Sequence, residues 1–239
     1  PICSGDTFTH PLESTPGVTF TWDRPVQSGI DGSVSGSGDI NDVLVNTTAT
    51  VQNAIYTVTL TSTEGCTATE TISVVINPAP QLTNTPALTE ICSGDTFDFD
   101  PTSGDPTGTV TWSRTTITGI TELGSNNNTS GIHEILTNTT TNIITVDYDL
   151  EIISNGCTTN TTVSVDVLPI PGTPGTITGD TIVCEGANGN YSVPAIDGAT
   201  SYNWTFNDGT NTTITTTTNT LNFGPIINSG TLTVQGENI

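Results

Sequence analysis

The chain has no lysine, no methionine and only two arginines in 239 residues, against 24 Asp and Glu. The formal net charge is −22. Such a surface repels phosphate backbones and anionic headgroups, which excludes nucleic acid and anionic membrane surfaces as partners. The same charge suits solubility and mutual repulsion between crowded copies, with weak, scattered Ca²⁺ binding the most to expect by way of a cofactor. No hydrophobic run is long enough to span a bilayer, so no membrane insertion is expected of this segment. With no initiating methionine and no signal peptide, the chain reads as a slice of a longer protein.

Chemistry-bearing residues are equally scarce. There are two histidines, His10 and His133, and no Cys-x-x-Cys, which argues against a structural zinc site. Asp98, Asp100 and Asp105 lie near one another, and Asp147 and Asp149 alternate along a strand, but neither set has a metal-loop register. There is no glycine-rich phosphate loop and no Ser/His/Asp set in a sensible context. No catalytic, cofactor-binding or metal residues are therefore expected, and the chain does not read as an enzyme. Helix formers are sparse as well. Thr and Val favour strands, and Gly, Asn and Asp punctuate turns, so the composition alone reads as all-β.

What is present is a repeat. Ile-Cys-Ser-Gly-Asp-Thr-Phe occurs at positions 2–8 and again at 91–97. Each copy is followed by Thr-Trp-x-Arg (Trp22 and Arg24; Trp112 and Arg114) and then by Gly-Cys (Cys66; Cys157). A weaker third copy begins at Cys184 and reaches Trp204. The leading cysteines are 89 and 92 residues apart, and the tryptophans 90 and 92. A period this steady means tandem copies of one domain. The expected boundaries are 1–78, 79–170 and 171–239, the third copy lacking its last strand. Proline-bearing linkers at 77–80 and 169–175 separate them.

Within each copy the pattern predicts short strands of alternating polarity. Positions 18–23 and 109–112 carry the tryptophan, 54–61 and 143–153 a tyrosine, and 69–76 and 161–168 return. Residues 28–38 and 124–131 read as loops. Strands of this length make a two-sheet sandwich with Trp22, Trp112 and Trp204 in three successive cores. Arg24 and Arg114 share a strand face with their tryptophans. They are expected as structural arginines, held by a carboxylate or by carbonyls of their own domain. A partner-facing arginine is the alternative.

Five cysteines placed by the repeat suggest disulfides and an oxidising, extracytoplasmic setting. Spacing favours intradomain bridges, Cys3 with Cys66 and Cys92 with Cys157. Geometry objects, because the two cysteines of a copy fall at opposite ends of a sandwich, about 20 Å apart or more. The alternative is a ladder between neighbours, Cys3 with Cys157, which would stiffen consecutive domains into a rod. The Asn-x-Thr sequons read as products of an Asn- and Thr-rich composition.

The repeated Ile-Cys-Ser-Gly-Asp-Thr-Phe, Val-Thr-Trp, Gly-Cys and x-Val-x-Val-x-Pro segments resemble the PKD-like and immunoglobulin-like repeats of large Bacteroidota surface proteins. The stretch from Gly179 to Trp204 is similar to a related PKD-like subtype. The resemblance implies tandem sandwiches in an extended rod, at the outer cell surface or outside the cell. It also implies export by type IX secretion and a role in adhesins, including those of gliding motility. The partners to expect are neighbouring domains of the same chain, with surface glycans or proteins possible at a tip. Accessory binding modules of a large secreted enzyme are the alternative reading.

Overall fold

The fold is described from a computed structural model covering residues 1–13 and 16–238. The first repeat contributes β1 (Ile2–Cys3), β2 (Thr7–His10), β3 (Val18–Asp23), β4 (Ile30–Asp31), β5 (Ser35–Ser37), β6 (Ile40–Val43), β7 (Val45–Asn46), β8 (Gln52–Ser62) and β9 (Thr67–Asn77). The second contributes β10 (Glu90–Cys92), β11 (Thr96–Phe99), β12 (Thr109–Arg114), β13 (Ser125–Asn128), β14 (Ile132–Ile135), β15 (Ile144–Ser154) and β16 (Cys157–Leu168). The third contributes β17 (Thr178–Gly179), β18 (Gly189–Ser192), β19 (Ser201–Asn207), β20 (Asn211–Thr216), β21 (Thr220–Phe223) and β22 (Thr231–Glu237). Among the described residues there is no helix.

The first two repeats share one topology. Their larger sheets run β1-β9-β8-β3-β5 and β10-β16-β15-β12-β13, and their second layers are β2-β6 and β11-β14. In both, the short opening strand lies parallel to the last one, Cys3 opposite Asn77 and Cys92 opposite Leu168. The third repeat pairs its tryptophan strand with β20 and β22, and sets β17-β18-β21 apart as a second sheet. This is an all-β fold of tandem immunoglobulin-like sandwiches.

By packing, the chain divides into two compact units. One comprises Pro1–Thr85, Pro101–Thr111 and Leu150–Thr161; the other comprises Pro86–Asp100, Trp112–Asp149 and Thr162–Ile239. In the first, period-two alternation sends Ala54, Tyr56 and Val58 of β8 and Val74 and Ile76 of β9 inward, onto Trp22, Ile40 and Leu44. In the second unit, Trp112, Phe97 and Tyr148 are buried together. Trp204 forms a separate cluster there with Val193, Ile196, Tyr202, Leu221 and Val234. Each tryptophan contributes a large apolar area to its core.

Two segments read as loops are edge strands instead. Residues 28–38 contain β4 and β5, and 124–131 contain β13, which pairs with the tryptophan strand through Trp112 and Asn128. β5 and β13 have no buried apolar face, so they carry no alternation to read, and β4 is only two residues long, with Ile30 alone turned into the core. Gly36 of β5 shows what the position requires: a Cβ there would stand 2.3 Å from the ring of Trp22. β20, a polar Thr-rich strand, escapes sequence reading for the same reason.

Candidate functional site

The repeated Cys-Ser-Gly-Asp forms an elbow that turns the chain from the large sheet into the second layer. Asp6 closes it at both ends: its Oδ2 accepts from the Cys3 amide (3.0 Å) and its own amide donates to the Cys3 carbonyl (3.0 Å). Gly5, at φ 90°, donates to the Leu44 carbonyl, and the Leu44 amide donates to the Asp6 carbonyl. A side chain at that φ would be strained, which accounts for the glycine. The second elbow repeats the backbone bonds. Gly94 (φ 92°) donates to Leu136, Leu136 to Asp95, and Asp95 to Cys92. Ser4 and Ser93 donate from their amides to Asn77 and Leu168 at the end of the last strand.

A buried asparagine braces each elbow. Asn46 donates through Nδ2 to the carbonyls of Thr50 (2.8 Å) and Ile76 (3.1 Å), and its Oδ1 accepts from the amide and hydroxyl of Thr48. Asn138 does the same with Asn142, Val167 and Thr140. The Ser4 and Ser93 hydroxyls bridge to these asparagines. Asn-Thr-Thr at these two positions is therefore a structural motif and not an accident of composition.

At the other end of the sheet lie the hairpins that carry Cys66 and Cys157. Asn155 (φ 50°) and Gly156 (φ 77°) make the tight turn expected of Asn-Gly. Asp105 accepts from the Ser154 hydroxyl (2.6 Å) and the Asn155 side-chain amide (2.9 Å). These and the Thr107 hydrogen bonds hold its carboxyl down at about 2. The turn presents its backbone to the first elbow, where Asn77 Nδ2 donates to the Asn155 carbonyl (2.9 Å).

There the disulfide closes. Cys3 is bonded to Cys157, with Cα atoms 5.5 Å apart, while Cys66, Cys92 and Cys184 are exposed free thiols. The intradomain pairs Cys3–Cys66 and Cys92–Cys157 are not formed, and strand length explains why. Cys3 is in register with Asn77, whereas Cys66 precedes Thr67 at the far end of the same strand. Ten residues of strand at about 3.3 Å each separate them by about 33 Å. A disulfide needs Cα atoms within roughly 7 Å. In the second repeat, Cys92 faces Leu168 and Cys157 opens β16, so the same argument holds.

The two arginines are buried, neither guanidinium facing solvent. Arg114 Nε pairs with Glu134 Oε2 at 2.8 Å, and its Nη2 donates to the Leu123 carbonyl at 3.0 Å. Glu134 also accepts from the Tyr148 hydroxyl (2.9 Å), and Trp112 meets the Tyr148 ring edge-on at 5.5 Å. Burial, followed by the Glu134 charge, pushes the Tyr148 hydroxyl far up. In the first repeat Asp42 takes the place of Glu134. It accepts from the Tyr56 hydroxyl (2.6 Å) and the Ser33 amide (2.7 Å), and Arg24 is left with the Ser33 carbonyl (3.3 Å). Arg24 Nη1 and Trp22 Nε1 are buried without hydrogen-bond partners. Trp112 Nε1, by contrast, donates to the Ser130 carbonyl.

Residues 1–80 match a family model described as a PKD-like domain, and residues 170–239 match a second model of the same description. Both matched stretches are thus similar to PKD-like domains, and the second repeat, between them, has the sheet topology of the first. Comparison with curated proteins gives no match. Among solved structures, the chain is similar to a crystal structure of titin domains, with 14% identity, TM-score 0.45, and 98% of this chain and 88% of that one covered. It is also similar to the FN1–FN3 domains of chicken CNTN1, with 8% identity, TM-score 0.44, and coverage of 100% and 94%. Extracellular domains 3–5 of Drosophila OTK match at 12% identity and TM-score 0.31, with coverage of 88% and 77%.

PKD-like domains are typically non-catalytic modules. In the first two repeats the Ser-Gly-Asp of the elbow, the Trp, Arg, Tyr and the bracing Asn recur at a fixed period and make their contacts inside the repeat, whereas Cys3 bonds to Cys157 and Cys92 is a free, exposed thiol. Among the described residues no group of three or more His, Cys, Asp or Glu side chains is arranged to hold a metal ion. His133, on the outer face of β14, turns its two ring nitrogens to the exposed carboxylates of Asp98 and Asp100. The Asp98 hydrogen bond raises the His133 pKa.

Proposed function

We propose that this chain is a non-catalytic stalk segment of a large secreted or cell-surface protein, its three PKD-like repeats spanning 1–78, 79–170 and 171–239. The observation that carries the reading is the Cys3–Cys157 bond, which ties the elbow of one repeat to the hairpin of the next. A covalent tie between repeats does nothing for a reaction. It limits bending and carries tension from one repeat to its neighbour. It also implies an oxidising, extracellular setting. The parent is an adhesin in this reading, with gliding motility among its uses. Support for that finer step is the resemblance of the repeated motifs alone.

Small-angle scattering tests the stalk. A sandwich built on 11-residue strands is about 36 Å long. The third, with strands of seven residues, is about 23 Å long, so the three end to end give about 95 Å and a radius of gyration near 27 Å, whereas a compact chain of this length has about 18 Å. A value near 18 Å would overturn the proposal.

A second reading has one observation in its favour. In the first unit, a cleft of about 470 Å³ is lined by Thr47, Thr48, Pro78, Pro80, Asp105 and Ser154. Apolar proline beside hydroxyls and a carboxylate suits a sugar or a peptide. Glycan-array binding lost on Asp105→Asn would support a binding module; no binding would leave the stalk.

A further inference from the structure

Cys3 lies in β1 and Cys157 opens β16, so the bond between them closes β2 to β15 into a covalent loop. That loop holds the buried residues around Trp22 and, in the second repeat, Phe97, Trp112 and Tyr148. The shortest covalent route along the chain does not pass through it. The route leaves β1 at Cys3, crosses the two sulfurs and follows β16 from Cys157 to Leu168, then enters the third repeat.

Within the second sandwich the two ends of this route are the two ends of one strand. β16 has 12 residues, is flanked by β10 and β15, and buries Val163, Val165 and Val167. A strand rises about 3.3 Å per residue and a fully extended chain about 3.6 Å. Tension can therefore lengthen β16 only from about 36 Å to about 40 Å. Force acts on an unfolding barrier through the length gained in crossing it, and here that length is very small. The flanking strands β10 and β15 both belong to the loop, so nothing outside pulls them against β16.

A load entering through β10 acts differently. β10 lies parallel to β16, with Cys92 opposite Leu168. Tension between its start and Leu168 draws the two strands in opposite directions along their length, and unfolding releases residues 90–168, about 280 Å of chain. The third repeat has no bond across it, and Cys184 is a free thiol. Its strands, 178–237, lie on the route and lengthen by about 190 Å when they open.

We propose that β16 is the tension-bearing strand of this segment, and that the Cys3–Cys157 bond shields the first two sandwiches from load while the third repeat yields. The inference rests on the stalk reading, but the two fail separately. Scattering can deny an extended chain with the shielding intact, and load can open the shielded cores of a chain that scatters as a rod.

The test places one buried thiol in each core of a chain whose Cys66, Cys92 and Cys184 are replaced by serine. The three versions carry Val58→Cys, Val146→Cys or Val234→Cys, at positions 2%, 0% and 7% exposed. Each is held by its termini in a thiol-reactive dye, at a constant force just above that giving the step of about 190 Å. Slow labelling without load shows that the cores are closed. The same chains, with the bond intact, are then pulled between an azide-bearing residue at position 89 and the C terminus, which loads β10 against β16. Pulled by its termini, the Val234→Cys chain should label at least about tenfold faster than without load, and the Val58→Cys and Val146→Cys chains less than about twofold faster. Pulled from position 89, the Val146→Cys chain should gain at least about tenfold as well. Fast labelling of Val58→Cys or Val146→Cys under terminal load, or equal rates for Val146→Cys in the two geometries, would overturn the proposal.

Discussion

Removing the Glu134 carboxylate should unfold the second sandwich far more readily than its partial exposure suggests. The Arg114 side chain is fully buried and Glu134 is 19% exposed, with 2.8 Å between Nε and Oε2. Glu134→Ala leaves a guanidinium in the core with only carbonyl partners, and it also strips the Tyr148 hydroxyl of its acceptor. Breaking a buried pair in this way costs about 3–5 kcal/mol. For a domain of this size, 3 kcal/mol lowers Tm by about 12–24 °C. The assay is urea and thermal unfolding in a Trp22→Phe, Trp204→Phe background, so that Trp112, packed edge-on against Tyr148, is the reporter. Arg114→Met combined with Glu134→Leu should recover most of the loss, since both charges then go together. If Glu134→Ala costs under about 1 kcal/mol, or the double variant is no better than the single one, the pair does not hold the core as described.

Three further outcomes follow from the structure. Asn138→Ala removes donors to two carbonyls and the acceptor of Thr140, and should cost about 2–3 kcal/mol in chemical denaturation. In a glycosylating host the folded chain should carry no glycan at Asn46 or Asn138, which are buried, while Asn160 and Asn211 are exposed. For Asp105 the folded pKa lies below its ordinary 3.8, at about 2. A depressed carboxyl stabilises the fold above its unfolded pKa, and that contribution is lost as pH falls through the folded value. The stability advantage over Asp105→Asn should therefore be complete above about pH 4 and gone below about pH 2.

Much of this was legible in the residues. The period of the cysteines and tryptophans gave the repeats, and the alternation through Ala54, Tyr56 and Val58 gave the strand facing them. The disulfide was not decided by spacing, because both pairings respect the period. It is decided by the length of β9, which carries Cys66 and Cys3 to opposite ends. Tyr56 and Tyr148, Asp42 and Glu134, and Asn46 and Asn138 are each 92 residues apart. The arginines beside each tryptophan read as held by a carboxylate or carbonyls of their own domain, but the offset alone does not say which acid is the partner. The edge strands β5, β13 and β20 left no trace, since pairing on one side only demands backbone and not pattern.

Pulling single molecules by their termini tests most directly whether the repeats are joined under load. The bond skips a separation of 154 residues, leaving 85 of 239 to extend (239 minus 154). At about 3.6 Å per residue the oxidised chain should reach a contour length of about 310 Å, rising to about 860 Å after reduction. The same length in both states would contradict a tie between repeats.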